Sequence, residues 1–188
     1  MNKVFSDIKT KSFILSGEKI YLRDVSVDHL MELKEWITIE PEEMMTCRPV
    51  VKKSKEDNLK SYEESIKRLT SHDFGIYEIN TNLLAGKVSC FDFNFRNCSA
   101  EIGYFLIPEF RNKGYTKEAL KLMLKLLFEF EDVNKLYAQT GSFNLASIKL
   151  LESLNFKLDA KLREHHKYNE VYYDDYIYSI LKSEFLNK

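Results

Sequence analysis

Ile107-Pro108-Glu109-Phe110-Arg111-Asn112-Lys113-Gly114-Tyr115-Thr116-Lys117-Glu118-Ala119 runs from the end of an apolar strand, through a short basic loop, into a long amphipathic helix. Pro108 has no N–H to give to a ladder and should end the strand. Beyond the loop, Ala119, Leu120, Met123, Leu124 and Leu127 recur at helical spacing, which predicts a helix over Tyr115 to Phe130. The first turn of such a helix has four amides without an intrahelical acceptor and carries a partial positive charge. A phosphate placed there finds hydrogen bonds and a favourable dipole together. Gly114 lets backbone and ligand approach closely, while Arg111 and Lys113 add charge. One strand-loop-helix junction with a glycine is by itself an ordinary structural unit, so its neighbours decide the reading.

Upstream, Lys19 to Asp24 reads as a strand, and Ser26 is placed to cap a helix over Val27 to Trp36. The pattern then breaks from Pro41 to Val51, where Pro41 and Pro49 enclose Met44-Met45, a candidate substrate-side loop, before a polar helix from about Ser54 to Leu69. Asp73 to Ile79, Leu84 to Phe95 and Ser99 to Ile107, separated by turns at Asn80-Thr81-Asn82 and Arg96-Asn97, form a predicted antiparallel meander. Downstream come a strand over Lys135 to Thr140, a helix over Asn144 to Leu154 that stops at Asn155, and strands over Phe156 to Glu164 and Tyr172 to Leu181. Strands paired first by hairpins and later joined through helices give an α/β (α+β) class. There is no internal repeat, low-complexity tract or linker, so one domain over residues 1–188, with its core at about 18–182, is expected.

A chain of 188 residues can bury most of its unfolded surface without metals or disulfides, and 44% hydrophobic against 30% charged residues is a folding composition. With 28 basic and 29 acidic residues the net charge is -1, which gives no overall basis for binding nucleic acid or an anionic membrane. Cys47, Cys90 and Cys98 are odd in number and lack metal-ligand spacing, which suits structural cysteines in a reducing cytosol. Met1 to Ile20 lacks the apolar run of a signal peptide, and no segment is long enough to span a bilayer. A cytoplasmic protein with neither a nucleic-acid nor a membrane partner is expected.

The strand, the Arg111-x-x-Gly114-x-Thr116 loop and the helix resemble the first core motif of the GNAT N-acetyltransferases, with Thr116 where Gly or Ala is usual. Asn144 to Phe156 is similar to the second motif, in which an Asn begins a helix that ends at Gly-Phe; here Asn155 stands for the Gly. Ile20-Tyr21-Leu22-Arg23-Asp24 with Asp28, and Leu162-Arg163-Glu164 followed by Tyr173-Asp174 and Tyr178, resemble the branch that contains the ribosomal-protein alanine acetyltransferases. The likeness covers roughly residues 18 to 182, with 37 to 72 unmatched. It implies the GNAT fold, a central mixed, largely antiparallel twisted sheet of about six to seven strands flanked by helices. It also implies acetyl-CoA as co-substrate and an amine acceptor, either a small molecule or a protein N-terminus. A homodimer is the default for an intracellular enzyme.

By that resemblance the strand ending at Ile107 splays from the strand at Lys135 to Thr140, and the pantetheine arm lies between them, held by backbone amides near Phe105 and Leu106. Arg111, Asn112, Lys113, Gly114, Tyr115, Thr116, Asn144 and Ser147 complete the cofactor side. Acetyl transfer requires an ammonium of pKa about 10 to lose a proton, while a departing thiolate of pKa about 8.5 can gain one. Many family members supply the latter from a Tyr seven residues after the helix-opening Asn, but that residue is Leu151 here. Ser147, at the position of a serine that can act as acid in the ribosomal branch, is the candidate; the alternative is a hydrogen bond to its own preceding turn. Glu101 is the candidate base, against the commoner fate of a solvent-facing strand carboxylate. Tyr104, Asp174 and Tyr178 are further polar candidates. His165 and His166 should point to opposite sides of a strand, so no metal site is expected. Arg23 and the run Glu40, Glu42 and Glu43 lie in or near the acceptor side of similar proteins. Two other readings stand beside this one: a non-catalytic acyl-CoA-binding module, favoured by Leu151, and a nucleic-acid attachment point at the basic loop, disfavoured by the absence of interleaved aromatics.

Overall fold

Alternation along the strands and helical spacing along the helices sort the apolar residues onto two faces of one sheet. The computed structural model describes residues 14–38, 45–48, 50–51, 53–67, 70–130 and 133–187. In chain order the elements are β1 (Leu15–Ser16), β2 (Ile20–Asp24), α1 (Val27–Ile37), α2 (Lys55–Lys67), β3 (His72–Glu78), β4 (Leu84–Asn94) and β5 (Ser99–Leu106). A 3₁₀ turn (Pro108–Phe110) leads to α3 (Tyr115–Phe130), β6 (Lys135–Gly141), α4 (Leu145–Ser153), β7 (Lys157–Tyr168), β8 (Val171–Leu181) and α5 (Lys182–Leu186).

The sheet order is β1-β2-β3-β4-β5-β6-β8-β7, antiparallel throughout except for the parallel pair β5 and β6. It has eight strands rather than six to seven. The extra one, β1, is only two residues long, paired as Leu15↔Leu22 and Ser16↔Tyr21 through a tight turn in which Gly17 N–H donates to the Ile20 carbonyl at 2.8 Å. A strand that short shows no alternation to read.

On one face, α3 buries Ala119, Leu120, Met123, Leu124 and Leu127 against Ile20, Leu22, Phe74, Ile76, Ala100 and Ile102, joined by Leu151, Leu154 and Phe156 at and beyond the end of α4. On the other, Leu30 and Leu33 of α1 meet Tyr77, Leu84 and Ile107, with Phe105 packed alongside. Along β5 the period of two therefore sends Ala100, Ile102 and Tyr104 towards α3 and α4, and Glu101, Gly103 and Phe105 towards α1. The amides of Glu18 and Lys19 both donate to the Glu118 carboxylate, the latter at 2.9 Å, which ties the first hairpin to the start of α3.

Helix ends follow local chemistry. Ser26 Oγ accepts from His29 N at 3.3 Å, and Asn155 takes φ 64° after α4, the left-handed conformation expected of it. The strand predicted to end at Glu164 continues to Tyr168, because β7 carries extra residues between Leu162 and His166 relative to β8. Glu164 has φ 51° there, and its amide donates to Asp174 Oδ1 at 3.0 Å. A bulge of this kind interrupts alternation and re-aims the next side chain, here His166, into the interior. The short α5 was not expected; Glu184 Oε2 accepts from Leu181 N at 3.0 Å, and Phe185 packs on Phe128.

Candidate active site

The pairing of β5 with β6 covers Ser99↔Lys135, Ala100↔Leu136 and Glu101↔Tyr137 and then stops. β5 continues to Leu106 against β4, and β6 continues to Gly141 against β8. The two strands thus diverge, as expected, and the β6-facing edge of Ile102 to Leu106 has no strand against it among the described residues. Two cavities meet at this opening, sharing Met45, Tyr104, Phe105, Asn144 and Ser147 in their walls.

The first cavity, about 370 Å³, runs from the start of α3 to α4. Gly114 has φ +84°, a conformation that glycine adopts freely, and a Cβ built on it meets nothing within 4 Å. It therefore borders open space where the first-turn amides of α3 converge. Arg111, Asn112, Tyr115, Thr116 and Lys117 line the same space, and Arg111 Nε donates to the Leu106 carbonyl at 3.1 Å, fixing the end of β5 beside the loop. Lys113 is turned towards β3. Its ammonium lies 3.7 Å from Glu78 Oε1 and 5.0 Å from the Phe110 ring centroid, and the residue does not line the cavity. Lys117, one helical position beyond the motif, does line it. Tyr115 OH donates to Glu78.

The walls, the open strand edge and the helix start fit a long anionic thioester cofactor: donors for a pyrophosphate at one end and free backbone groups for an amide-bearing arm at the other.

At the junction, Asn144 Oδ1 accepts from Ser147 N at 3.2 Å and caps α4. The buried Ser147 Oγ lies 2.6 Å from Tyr104 OH on β5, so its hydroxyl is paired across the opening and not with its own preceding turn. Burial pushes the Tyr104 hydroxyl up to about 12, against the pull of its bond to Ser147, so it stays protonated at neutral pH. Leu151, where the family's tyrosine would stand, is fully buried in the core. A tyrosine hydroxyl reaches the cleft from β5 instead of α4.

The second cavity, about 390 Å³, holds Glu101 together with Ser147, Tyr104, Cys47, Arg48, Gln139 and Thr140. Glu101 is buried, not solvent-facing, and accepts from Arg48 Nη2 at 2.6 Å; Arg48 also reaches Asp92 Oδ2 at 2.7 Å and lies 4.6 Å from the Phe91 ring centroid. Burial raises the Glu101 carboxyl above its ordinary value, while Arg48 opposes the shift. Arg48, in the broken stretch, was not singled out from the sequence; its only signal was its place inside the candidate substrate-side loop.

Deeper in, Asp175 accepts from Gln139 Nε2 at 2.7 Å and pairs with His166 Nδ1 at 3.1 Å. His166 is buried and His165 exposed, opposite sides as alternation requires. Cys47, His166 and Asp175 bring one potential ligand atom each within 4.8 Å of one another. Burial, with the Asp175 carboxylate, pushes the Cys47 thiol up to about 12, so it remains a thiol.

The remaining candidates sit elsewhere. Asp174 serves the β7 bulge, and Tyr178 OH donates to Glu152 Oε1 at 3.1 Å. Arg23 lies 4.3 Å from the Tyr77 ring centroid, outside both cavities. Glu40, Glu42, Glu43, Met44, Pro41 and Pro49 fall outside the described residues, but Met45, Cys47, Arg48 and Val50 of that stretch do border the second cavity. Among the described residues no helix is long and apolar enough to cross a membrane.

The family described as Acetyltransferase (GNAT) domain matches residues 19–157. The uncharacterized N-acetyltransferase p20 of Bacillus licheniformis is 36% identical over 89 residues, taking in 47% of this chain and 50% of that protein. The probable N-acetyltransferase YjcK of Bacillus subtilis (strain 168) is 26% identical over 184 residues, 91% of this chain and 98% of that one. The solved spermidine N-acetyltransferase from Vibrio cholerae, in complex with CoA and spermine, superposes with a TM-score of 0.84 at 21% identity, covering 91% of this chain and 100% of that chain. A ribosomal L7/L12 alpha-N-protein acetyltransferase in complex with coenzyme A gives 0.80 at 20% identity, covering 92% and 99%. At such identities the structural likeness speaks for the fold. With most of its length matched and the cleft between β5 and β6 in place, the chain belongs to the GNAT family of acetyltransferases, which move an acetyl group from acetyl-CoA to an amine.

Proposed function

We propose that this protein acetylates a primary amine by direct attack on acetyl-CoA bound in the cleft between β5 and β6. The observation that carries the reading is the early end of the β5–β6 ladder, which opens one continuous path from the start of α3 to the Tyr104–Ser147 pair. The loop from Arg111 to Thr116 and the first turn of α3 take the pyrophosphate, with Arg111 and Lys117 adding charge. The open edge near Phe105 and Leu106 aligns the arm, and a backbone amide there stabilises the oxyanion that forms as the amine adds.

The amine enters from the opposite side of the sheet, where Glu101 takes its proton directly or through water. A carboxyl raised by burial is a better proton acceptor than a surface one, and Arg48 keeps it ionised before the amine arrives. Ser147, hydrogen-bonded to Tyr104, donates a proton to the departing thiolate. The direction of each shift suits its role: Glu101 up, towards neutrality, and Tyr104 up, away from ionisation. We place the enzyme in the cytosol, where three unpaired cysteines stay reduced.

Isothermal titration with acetyl-CoA and with CoA tests the binding half of this reading. The expected result is one site per chain with a micromolar dissociation constant and a rise in melting temperature. No heat together with no stabilisation by either ligand would sink it.

A further inference from the structure

Beside the cavity that holds Glu101 lies a larger one, about 590 Å³, between α1, the segment leading into α2, and β4. Among the described residues that line it are Lys34, Lys53, Lys55 and Lys87, with Glu35 as the one acid. Lys34 Nζ donates to Asn58 Oδ1 at 2.7 Å and Lys53 Nζ to Ser61 Oγ at 2.9 Å, both neutral partners. Lys87 Nζ donates to Asp73 Oδ1 at 3.4 Å in an ion pair at the edge of this cavity. Burial, and then Lys87 and Lys53, depress the Lys34 ammonium below its ordinary value against an opposing pull from Asp73. Lysines gathered in a concave site at mutual cost are a site that an anion relieves.

The two cavities share Ile37, Val50 and Lys87 in their walls, so one molecule can occupy both. At the reacting end stands a buried carboxylate, Glu101; at the far end stand the lysines. We propose that the acceptor is an amine that also carries an anionic group, its amine directed to Glu101 and its anion held by Lys34, Lys53 and Lys87. This rests on the amine-acetylating reading above and narrows it. A polyamine would bring a second ammonium against the lysines, a like-charge contact that selects against it. An ω-amino acid and an acidic peptide N-terminus present the same chemistry, a primary amine with a carboxylate several bonds away.

The test uses the full chain with acetyl-CoA and three amines of equal length: aminohexanoate, aminohexane and diaminohexane. The expected kcat/KM for aminohexanoate exceeds that for diaminohexane by at least roughly tenfold, with aminohexane between, and the advantage shrinks as salt is raised. The double substitution Lys34→Ala/Lys53→Ala is expected to remove at least roughly tenfold from aminohexanoate and to leave aminohexane unchanged, since neither lysine touches the reacting atoms. An Ala-Glu-Glu peptide against its Ala-Gln-Gln counterpart tells a peptide acceptor from an ω-amino acid. Preference for diaminohexane, or an equal loss on all amines in the double variant, would overturn the proposal. Calorimetric titration with aminohexanoate separates the two layers. Binding that the double variant abolishes, with no turnover of any amine, keeps the anion site and refutes acetyl transfer; neither binding nor turnover of aminohexanoate or the acidic peptide refutes the anion site.

Discussion

Gly114→Glu is expected to weaken acetyl-CoA binding at least about 100-fold, which is about 2.7 kcal/mol, while the protein remains folded. Gly114 sits at φ +84° in the wall of the cavity at the start of α3, with open space where a Cβ would go, so a new side chain meets no obstacle beside that cavity. A carboxylate there would occupy the ground of the pyrophosphate and repel it. The accompanying backbone strain is of order 1–2 kcal/mol for a residue in the left-handed region, enough to lower the melting temperature by several degrees and not enough to unfold the chain. Gly114→Ala carries the same strain without the charge, so the difference between the two variants isolates the electrostatic part. Unchanged affinity in Gly114→Glu would remove the pyrophosphate from this loop.

The second large effect concerns proton delivery. Ser147→Ala and Tyr104→Phe are each expected to lower kcat, and the double variant to lower it about 100-fold, the size general acid catalysis commonly has. The two hydroxyls share one hydrogen bond of 2.6 Å, so their losses should be far from additive. Acetyl-CoA affinity should stay within about threefold of the parent, because the loop and the first turn of α3 are untouched. Steady-state rates with titration of each variant check this. A kcat that is unchanged in the double variant would mean that the thiolate leaves unassisted. Equal losses in kcat and in affinity would mean that the pair only holds β5 and α4 together.

Much of this fold was legible because it is written in local periods. The amphipathic stripe of α3, the stop at Pro108, the cap at Ser26 and the turn at Asn155 each follow from a few neighbouring residues. The elements that were not legible offer no period to read and depend on the strand beside them. β1 exists because Leu15 and Ser16 find β2, and β7 runs past Glu164 because Asp174, ten residues on, supports its bulge.

The site divides in the same way. The loop from Arg111 to Thr116 could be read in one stretch, but Glu78 on β3 draws Lys113 aside, and only the assembled sheet shows that Lys117 faces the cavity in its place. The missing tyrosine at Leu151 was visible; that Tyr104 brings a hydroxyl to Ser147 from another element was not. Glu101 could be named from its strand, whereas its partner Arg48 lies 53 residues earlier in a stretch with no periodicity at all.

Acetyl transfer is tested most directly by turnover of the unmodified protein: acetyl-CoA and a panel of primary amines, with CoA thiol and acetylated amine measured in the same samples. Thiol release that depends on the amine and matches the acetylated product one to one is the expected result. Acetyl-CoA bound in the cleft with no amine-dependent thiol release would contradict it, and would make the protein an acyl-CoA-binding module that keeps the fold without the reaction.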